Sequence, residues 1–264
     1  MIKGAMHVHS TYSDGEFTLA ELREIFLGQS CAFVCMTDHA EYFDEDSLRR
    51  YQRECETLSD ENLQFVVGLE YDCERHMHIL GYGATSLVNT IIPQEVIRHI
   101  ERQGALSVIA HPKDEFFPWI ETFETLPRGI ETWNSKYDGR YAPRPSTFAL
   151  LQKLKQRKPE MCAFYGQDLH WKKQFRGLLV EVEIASAQPR TILAAIAAGK
   201  YSGRKDDLRL PSTGELLDEL LAEFGKAHDR SYRMWRFLKS GKRILDQVGI
   251  RIPESMKASL RRIF

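Results

Sequence analysis

Residues 5–10 read Ala5-Met6-His7-Val8-His9-Ser10, a short apolar run that ends in two histidines one residue apart. Such a run predicts a β-strand, and in a strand residues i and i+2 share a face, so both imidazoles are expected to point the same way. The pattern recurs down the chain. Phe33–Met36, Phe65–Leu69, Leu106–Ile109, Gly129–Thr132, Ala163–Tyr165 and Leu178–Ile184 complete a set of seven predicted strands, and Met77–Tyr82 reads as an extra strand paired with the run before it. Amphipathic segments lie between them. Thr18–Gln29 opens with Thr18 and Glu21 at capping-box spacing, and Pro93–Gln103 starts on proline and stops before Gly104. Asp44–Leu58, Ser146–Arg157 and Thr191–Ala198 are of the same kind. Repeated strand-then-helix order predicts an α/β fold with helices outside a parallel sheet, either a barrel or an open doubly wound sheet. No glycine-rich phosphate loop follows the first strand, which favours the barrel.

After Ile184 the character changes to a helix over Thr213–Phe224, a basic aromatic stretch, a break at Gly249–Pro253 and a short final helix. A barrel over residues 1–205 followed by a basic helical extension over 206–264, packed on the barrel, is the expected organisation. Residues 226–264 carry 11 Lys and Arg against 3 Asp and Glu, a charge of +8 that leaves −9 on residues 1–225. In that segment Tyr232, Met234, Trp235, Phe237 and Leu238 interleave with Arg230, Arg233, Arg236 and Lys239. A helix docked on the acidic body, an anionic-surface anchor and a nucleic-acid arm compete for it, and docking is the commonest fate of such a stripe.

The 264 residues are 43% hydrophobic and 28% charged, a globular composition with no apolar run long enough for a membrane span. MIKGAMHVHS has no apolar signal core, so a cytoplasmic protein is expected. Five cysteines without a C-x-x-C pair predict reduced, buried thiols.

The residue types that bind metals fall at the ends of the predicted strands: His7 and His9, then Asp38 and His39, Glu70, His111, and Asp168 with His170. Asp14 lies in the Ser13–Gly15 turn and His78 in the hairpin. Barrel active sites are built from several strand ends at once. Any one histidine is more often a core or surface residue, as expected for His76, His99 and His228, but this joint placement is not. Imidazole and carboxylate donors without thiolates suit Zn, Mn or Fe. With Asp14, Glu70 and Asp168 as the anions, about −3 would be exceeded by the +4 to +6 of two or three divalent ions, a charge balance suited to phosphate.

His7-Val8-His9-Ser10 with Ser13-Asp14-Gly15, Thr37-Asp38-His39, Gly68-Leu69-Glu70, His78-Ile79-Leu80-Gly81, Ala110-His111-Pro112 and Gly166-Gln167-Asp168-Leu169-His170 together resemble the PHP (polymerase and histidinol phosphatase) family, in the family's order over roughly residues 4–200. The resemblance implies a distorted seven-stranded TIM-like (β/α)7 barrel and a trinuclear metal site. It places His7, His9, Glu70 and Asp168 on one ion, Glu70, His78 and His111 on a second, and Asp14, His39 and His170 on a third, with His76 as an alternative to His78. Asp38 would orient a ligand imidazole or a water, acting with His39 and His170 as the catalytic group. Gln167 and Leu169 depart from the usual Gly-Ser-Asp-Ala-His string, and about 40 residues between Glu70 and His111 leave no room for the helical insertion that covers nucleotides in some relatives.

Lys113, Lys136, Arg140 and Arg144 are candidates for the non-bridging phosphate oxygens, competing with a reading as solvated loop cations. Asn134 is expected to brace its loop, and Trp119, Trp133 and Trp171 to pack. The leading expectation is hydrolysis of a small phosphomonoester by a metal-bound hydroxide. A 3′ exonuclease acting on nucleic acid and a non-catalytic PHP module are the alternatives; the acidic body weighs against a long polyanion track.

Overall fold

The chain is described by a computed structural model covering residues 1–139 and 142–230. Its first sheet comprises β1 (Ile2–Val8), β2 (Phe33–Met36), β4 (Gln64–Val66), β10 (Leu179–Val182), β11 (Tyr201–Lys205) and β12 (Leu208–Pro211). A second holds β3 (Asp38–His39), β5 (Gly68–Asp72), β6 (His78–Tyr82), β7 (Leu106–Ile109), β8 (Gly129–Asn134) and β9 (Cys162–Gly166). The helices are α1 (Leu19–Leu27), α2 (Glu45–Leu58), α3 (Pro93–Arg102), α4 (Phe117–Ile120), α5 (Pro145–Lys155), α6 (Pro189–Ala197) and α7 over residues 218–230.

Strand order is β12-β11-β10-β1-β2-β4 in one sheet and β3-β5-β6-β7-β8-β9 in the other. β2 runs on into β3 through Thr37, and β4 into β5 through Val67, so each of these two runs crosses from the first sheet to the second. The predicted strand Phe65–Leu69 is thus two strands. Opposite this crossing, Val8 bridges Leu169, and the backbone bonds Gln167 N to Met6 O (2.9 Å) and His9 N to Leu169 O (3.0 Å) tie β1 to the segment after β9. The seven-membered α/β arrangement is present as a barrel distorted at these seams, and the ladder does not close continuously. Register shifts at Met6/Val8 and Glu131/Trp133 break it where ligand side chains must turn inward.

Local rules act as the sequence indicates. Thr18 and Glu21 cap α1 reciprocally, Asp44 and Ser47 cap α2, and proline occupies the first turn of α3, α5 and α6. α2, α3, α5 and α6 pack outside β4, β7, β8 and β10. The core between them is filled by large side chains such as Trp133, Tyr51, Tyr82, Phe148 and Phe164. All five cysteines are buried and unpaired.

From Leu179 onward the fold departs from a barrel repeat. β10 runs antiparallel to β1, with Ile2 opposite Val182, and β11 and β12 extend the same sheet as an antiparallel hairpin beyond position 205. α7 lays Phe224 (5% exposed) on the body, and His228 Nε2 reaches the Ala142 carbonyl at 3.2 Å. Arg140 and the rest of the basic aromatic stretch, from residue 231 on, lie outside the described residues. No helix among the described residues is long and apolar enough to cross a membrane.

Candidate metal centre

All nine expected ligands converge at one end of the strands. β6 is antiparallel to its neighbours, so its first residue, His78, lies at the same end as the last residues of β5 and β7. Glu70 is the hub. Its carboxylate lies 3.3 Å from His7 Nε2, 3.2 Å from His9 Nε2, 3.6 Å from His39 Nδ1, 2.8 Å from His78 Nδ1 and 3.3 Å from His111 Nε2. Asp14 lies 3.2 Å from His170 and 3.6 Å from His39, and Asp168 is 3.1 Å from His170.

Four sets of donor atoms are each close enough to share one cation: His9, Asp14, His39 and His170; His7, His9 and Asp168; His7, Glu70 and His111; and His39, Glu70 and His78. These sets overlap, whereas the family-based assignment divides the ligands among three ions sharing only Glu70. His9 is fully buried, yet neither ring nitrogen has a hydrogen-bond partner, and His39 Nδ1 is also buried without one. A buried polar atom left unsatisfied is costly, and a cation between these donors would satisfy it. The donor set therefore fits divalent metal ions.

Strand parity alone does not bring His7 and His9 to the cluster. β1 bulges at His7, whose φ of 61° is left-handed; His111 (φ 26°) and Asp168 (φ 51°) share this backbone region. Such conformations in residues with a Cβ cost about 1–3 kcal/mol each and cluster at functional sites. Here they turn three ligand side chains inward from ladders that would otherwise run past the site.

The charges follow from this crowding. Burial alone would lower the His7 imidazole, but Glu131, Asp168 and Glu70 outweigh it and hold His7 well above its usual value. Burial likewise opposes protonation of His170, and its bonds to Asp14 and Asp168 prevail, pushing it up to about 9. His9 is lowered to about 3, chiefly by burial. For Glu70 and Asp168 burial raises the pKa, yet the facing imidazoles, His7 foremost, hold both well below the carboxylate range. His7 and His170 thus carry protons at pH 7 that ligation must displace. Metal uptake at pH 7 is expected to release about two protons per chain from them, and apparent affinity to fall as pH drops, by up to about tenfold per unit for each displaced proton. Calorimetric titration with Mn or Zn in two buffers of different ionisation enthalpy reads the proton count. Uptake without proton release would remove His7 and His170 from the ligand set.

The neighbours of the cluster sort the remaining candidates. His78 is on Glu70, while His76 is 85% exposed and faces Asp72. His99 bonds Ser86 and stays outside, as expected. Asp38 is fully buried, but its oxygens accept from Ser10 N (2.8 Å), Ser10 Oγ and Ser13 Oγ (2.8 Å). These bonds fix the loop that carries His9 and Asp14. Lys136 Nζ sits in the cluster, 2.9 Å from Asp168 and 3.3 Å from His170 Nδ1. Lys113 lies over the Phe116 ring at the rim. Arg144 is a correction: its nitrogens are taken by Asp138 (2.5 Å), Asp114 (2.6 Å) and the Pro112 carbonyl (2.7 Å), which makes it a brace between loops. Asn134 holds its turn as expected, accepting from Lys136 N and Tyr137 N. Trp133 is buried and Trp119 packs edge-to-face against Phe123, but Trp171 stands 48% exposed beside His170.

Glu131 was missed. It is fully buried in β8 and accepts from His7 Nδ1 (2.8 Å), His111 N (2.9 Å) and Asn134 Nδ2 (2.9 Å), so it fixes which His7 nitrogen faces the cluster. A Cβ on Gly166 would lie 1.8 Å from Glu131 Oε1, which explains the glycine there by close approach. The available signal was a lone carboxylate within the apolar run Gly129–Thr132.

No family model matches the chain. A two-domain protein from Bacteroides vulgatus, described as containing a predicted PHP-like metal-dependent phosphoesterase, superposes with a TM-score of 0.55 at 15% identity, covering 79% of this chain and 66% of that one. PsfC from Pseudomonas syringae superposes at 0.50 with 11% identity, covering 87% of this chain and 98% of its own. By sequence, the DNA polymerase/3′-5′ exonuclease PolX of Bacillus subtilis is 32% identical over 79 residues, 27% of this chain and 14% of that protein. The chain therefore matches a small part of this curated relative and just under two thirds of the first solved structure. At these identities the likeness speaks to the fold, which is of the PHP type.

Proposed function

We propose that this PHP-fold chain is a metal-dependent phosphoesterase that hydrolyses a small phosphomonoester at a trinuclear centre. The observation that carries the reading is the cluster of nine donors around the buried Glu70, in which neither ring nitrogen of the fully buried His9 has a hydrogen-bond partner. His7, His9, Glu70 and Asp168, then Glu70, His78 and His111, then Asp14, His39 and His170 would hold the ions. When bound, Zn, Mn or Fe supplies an acidified water and positive charge for the phosphate oxygens.

The chain's own residues do the rest. Glu131 and Asn134 hold His7 and Asp168 in register, and Asp38 pins the loop bearing His9 and Asp14. Lys136, placed on Asp168 within the cluster, is the cation best positioned for a non-bridging phosphate oxygen, with Lys113 farther out at the rim.

A second reading, cleavage of phosphodiesters from a nucleic-acid 3′ end, draws on the 79-residue match to PolX. The charge of −9 over residues 1–225 supports the monoester. Elemental analysis of the purified chain is expected to find more than one transition ion. With Mn or Zn supplied, turnover of phosphomonoesters should exceed that of single-stranded oligonucleotides and depend weakly on salt. Faster, steeply salt-sensitive cleavage of oligonucleotides would hand the assignment to the exonuclease.

A further inference from the structure

Asp14 and Glu70 face only imidazoles across the cluster, whereas Asp168 also carries an ammonium. Among the described residues it is the one ligand carboxylate in contact with a lysine or arginine. Lys136 Nζ lies 2.9 Å from Asp168 Oδ1, and Asn134 Nδ2 lies 3.2 Å from Oδ2. The two kinds of partner behave differently towards a metal. An imidazole that yields its proton offers a lone pair to the incoming ion and stays in place as a ligand. An ammonium has no lone pair to offer, so a divalent ion arriving at Asp168 meets a like charge on the same carboxylate.

The ammonium has a second place to rest. Its backbone is fixed, since Asn134 Oδ1 accepts from Lys136 N at 3.0 Å, but its side chain is 20% exposed and reaches the mouth. There Nζ already stands 5.1 Å from the centre of the Tyr137 ring and 5.9 Å from that of Trp171. These rings are 59% and 48% exposed, so core packing gives no reason for them. Rotation about the lysine stem carries the charge from Asp168 towards their faces while the turn stays as it is.

We propose that Lys136 is a tethered cation that competes with a divalent ion for Asp168, so that the ion sharing His7, His9 and Asp168 is the most weakly held of the cluster and is admitted when the lysine turns outward to a phosphate. This role rests on the metal-centre reading given above, and it adds that metal and phosphate binding are coupled through one side chain. While the ammonium holds Asp168 it cannot hold a phosphate oxygen. A phosphate that draws it outward clears the carboxylate for the ion, and by reciprocity the ion favours the phosphate.

Equilibrium dialysis of the full chain against Mn, with and without inorganic phosphate, counts the ions bound at each free concentration. Lys136→Met keeps the length of the side chain, removes its charge and adds a thioether that Mn does not favour. Without phosphate, the last ion to bind is expected to be held about tenfold or more tightly by Lys136→Met than by the wild type, and about as tightly as the wild type by Lys136→Arg. A lysine that only braced its loop would lose affinity, or leave it unchanged, on removal. Phosphate should tighten the last ion by about tenfold or more in the wild type and by a smaller factor in Lys136→Met.

Equal or weaker Mn binding by Lys136→Met, or the same phosphate factor in both proteins, would overturn the competition and leave the metal centre standing. Melting curves of the metal-free proteins check that the variants fold. The wild-type measurement needs no variant, and a last ion indifferent to phosphate refutes the coupling by itself. If neither protein binds Mn, the metal-centre reading fails and the role of Lys136 fails with it.

Discussion

Glu70→Gln is expected to lose more than one metal ion per chain and to lower kcat/KM at least ~1000-fold, about 4 kcal/mol of transition-state stabilisation. The substitution keeps the side chain's shape and removes its charge. In the native protein that charge faces five imidazoles, those of His7, His9, His39, His78 and His111, within 3.6 Å. A glutamine presents one oxygen and one NH2 to the same ring of nitrogens, so at least one former acceptor position becomes a donor. Because Glu70 belongs to two of the donor sets, its loss affects cations on both sides. Elemental analysis and steady-state kinetics on the same preparation measure the two effects. Native metal content with native turnover would show that Glu70 is no shared ligand.

Glu131→Leu is expected to cost about 3–5 kcal/mol of stability, because it removes the carboxylate that accepts from His7 Nδ1, His111 N and Asn134 Nδ2 and leaves the first two buried without it. For a chain of this size that is a melting temperature lower by roughly 6–20 °C. Glu131→Gln should fold better while weakening metal binding about 10–100-fold, since its amide NH2 meets a donor and His7 is no longer fixed. Thermal melts of the metal-free variants, followed by metal titration, separate the two roles. A Glu131→Leu protein melting at the native temperature would mean that the carboxylate braces nothing.

Much of the ligand set was legible because strand ends are marked in a sequence. An apolar run that stops at His, Asp or Glu shows both the strand and the place where its end opens to the site, and His111 and Glu70 are examples. Contacts made across the fold were not legible. Nothing in Arg144 announces that Asp114 and Asp138, 30 and 6 residues away, occupy its guanidinium. Glu131 lies within a strand, where a rule that searches strand ends does not look. The reversal of β10 escaped because its apolar pattern fits a parallel or an antiparallel neighbour equally well, and the direction is set by the partner, Ile2–Gly4. β11 carries Ser202, Gly203 and Arg204, too polar to read as a strand before its hairpin partner is known.

β1 sits between β2 and β10, and its end is bridged to Leu169. β1 thus gains one neighbour, β2, within about 30 residues, but its other neighbours are made about 160–180 residues later, and at roughly 5–20 residues per second it waits about 8–36 seconds for them. His7 and His9 acquire Asp168 and His170 only near the end of this span. The metal centre is therefore a late product of synthesis. Until β9 and β10 arrive, the nascent chain offers β1 with one edge unpaired, the state in which such a protein is most exposed to mispairing and to chaperones.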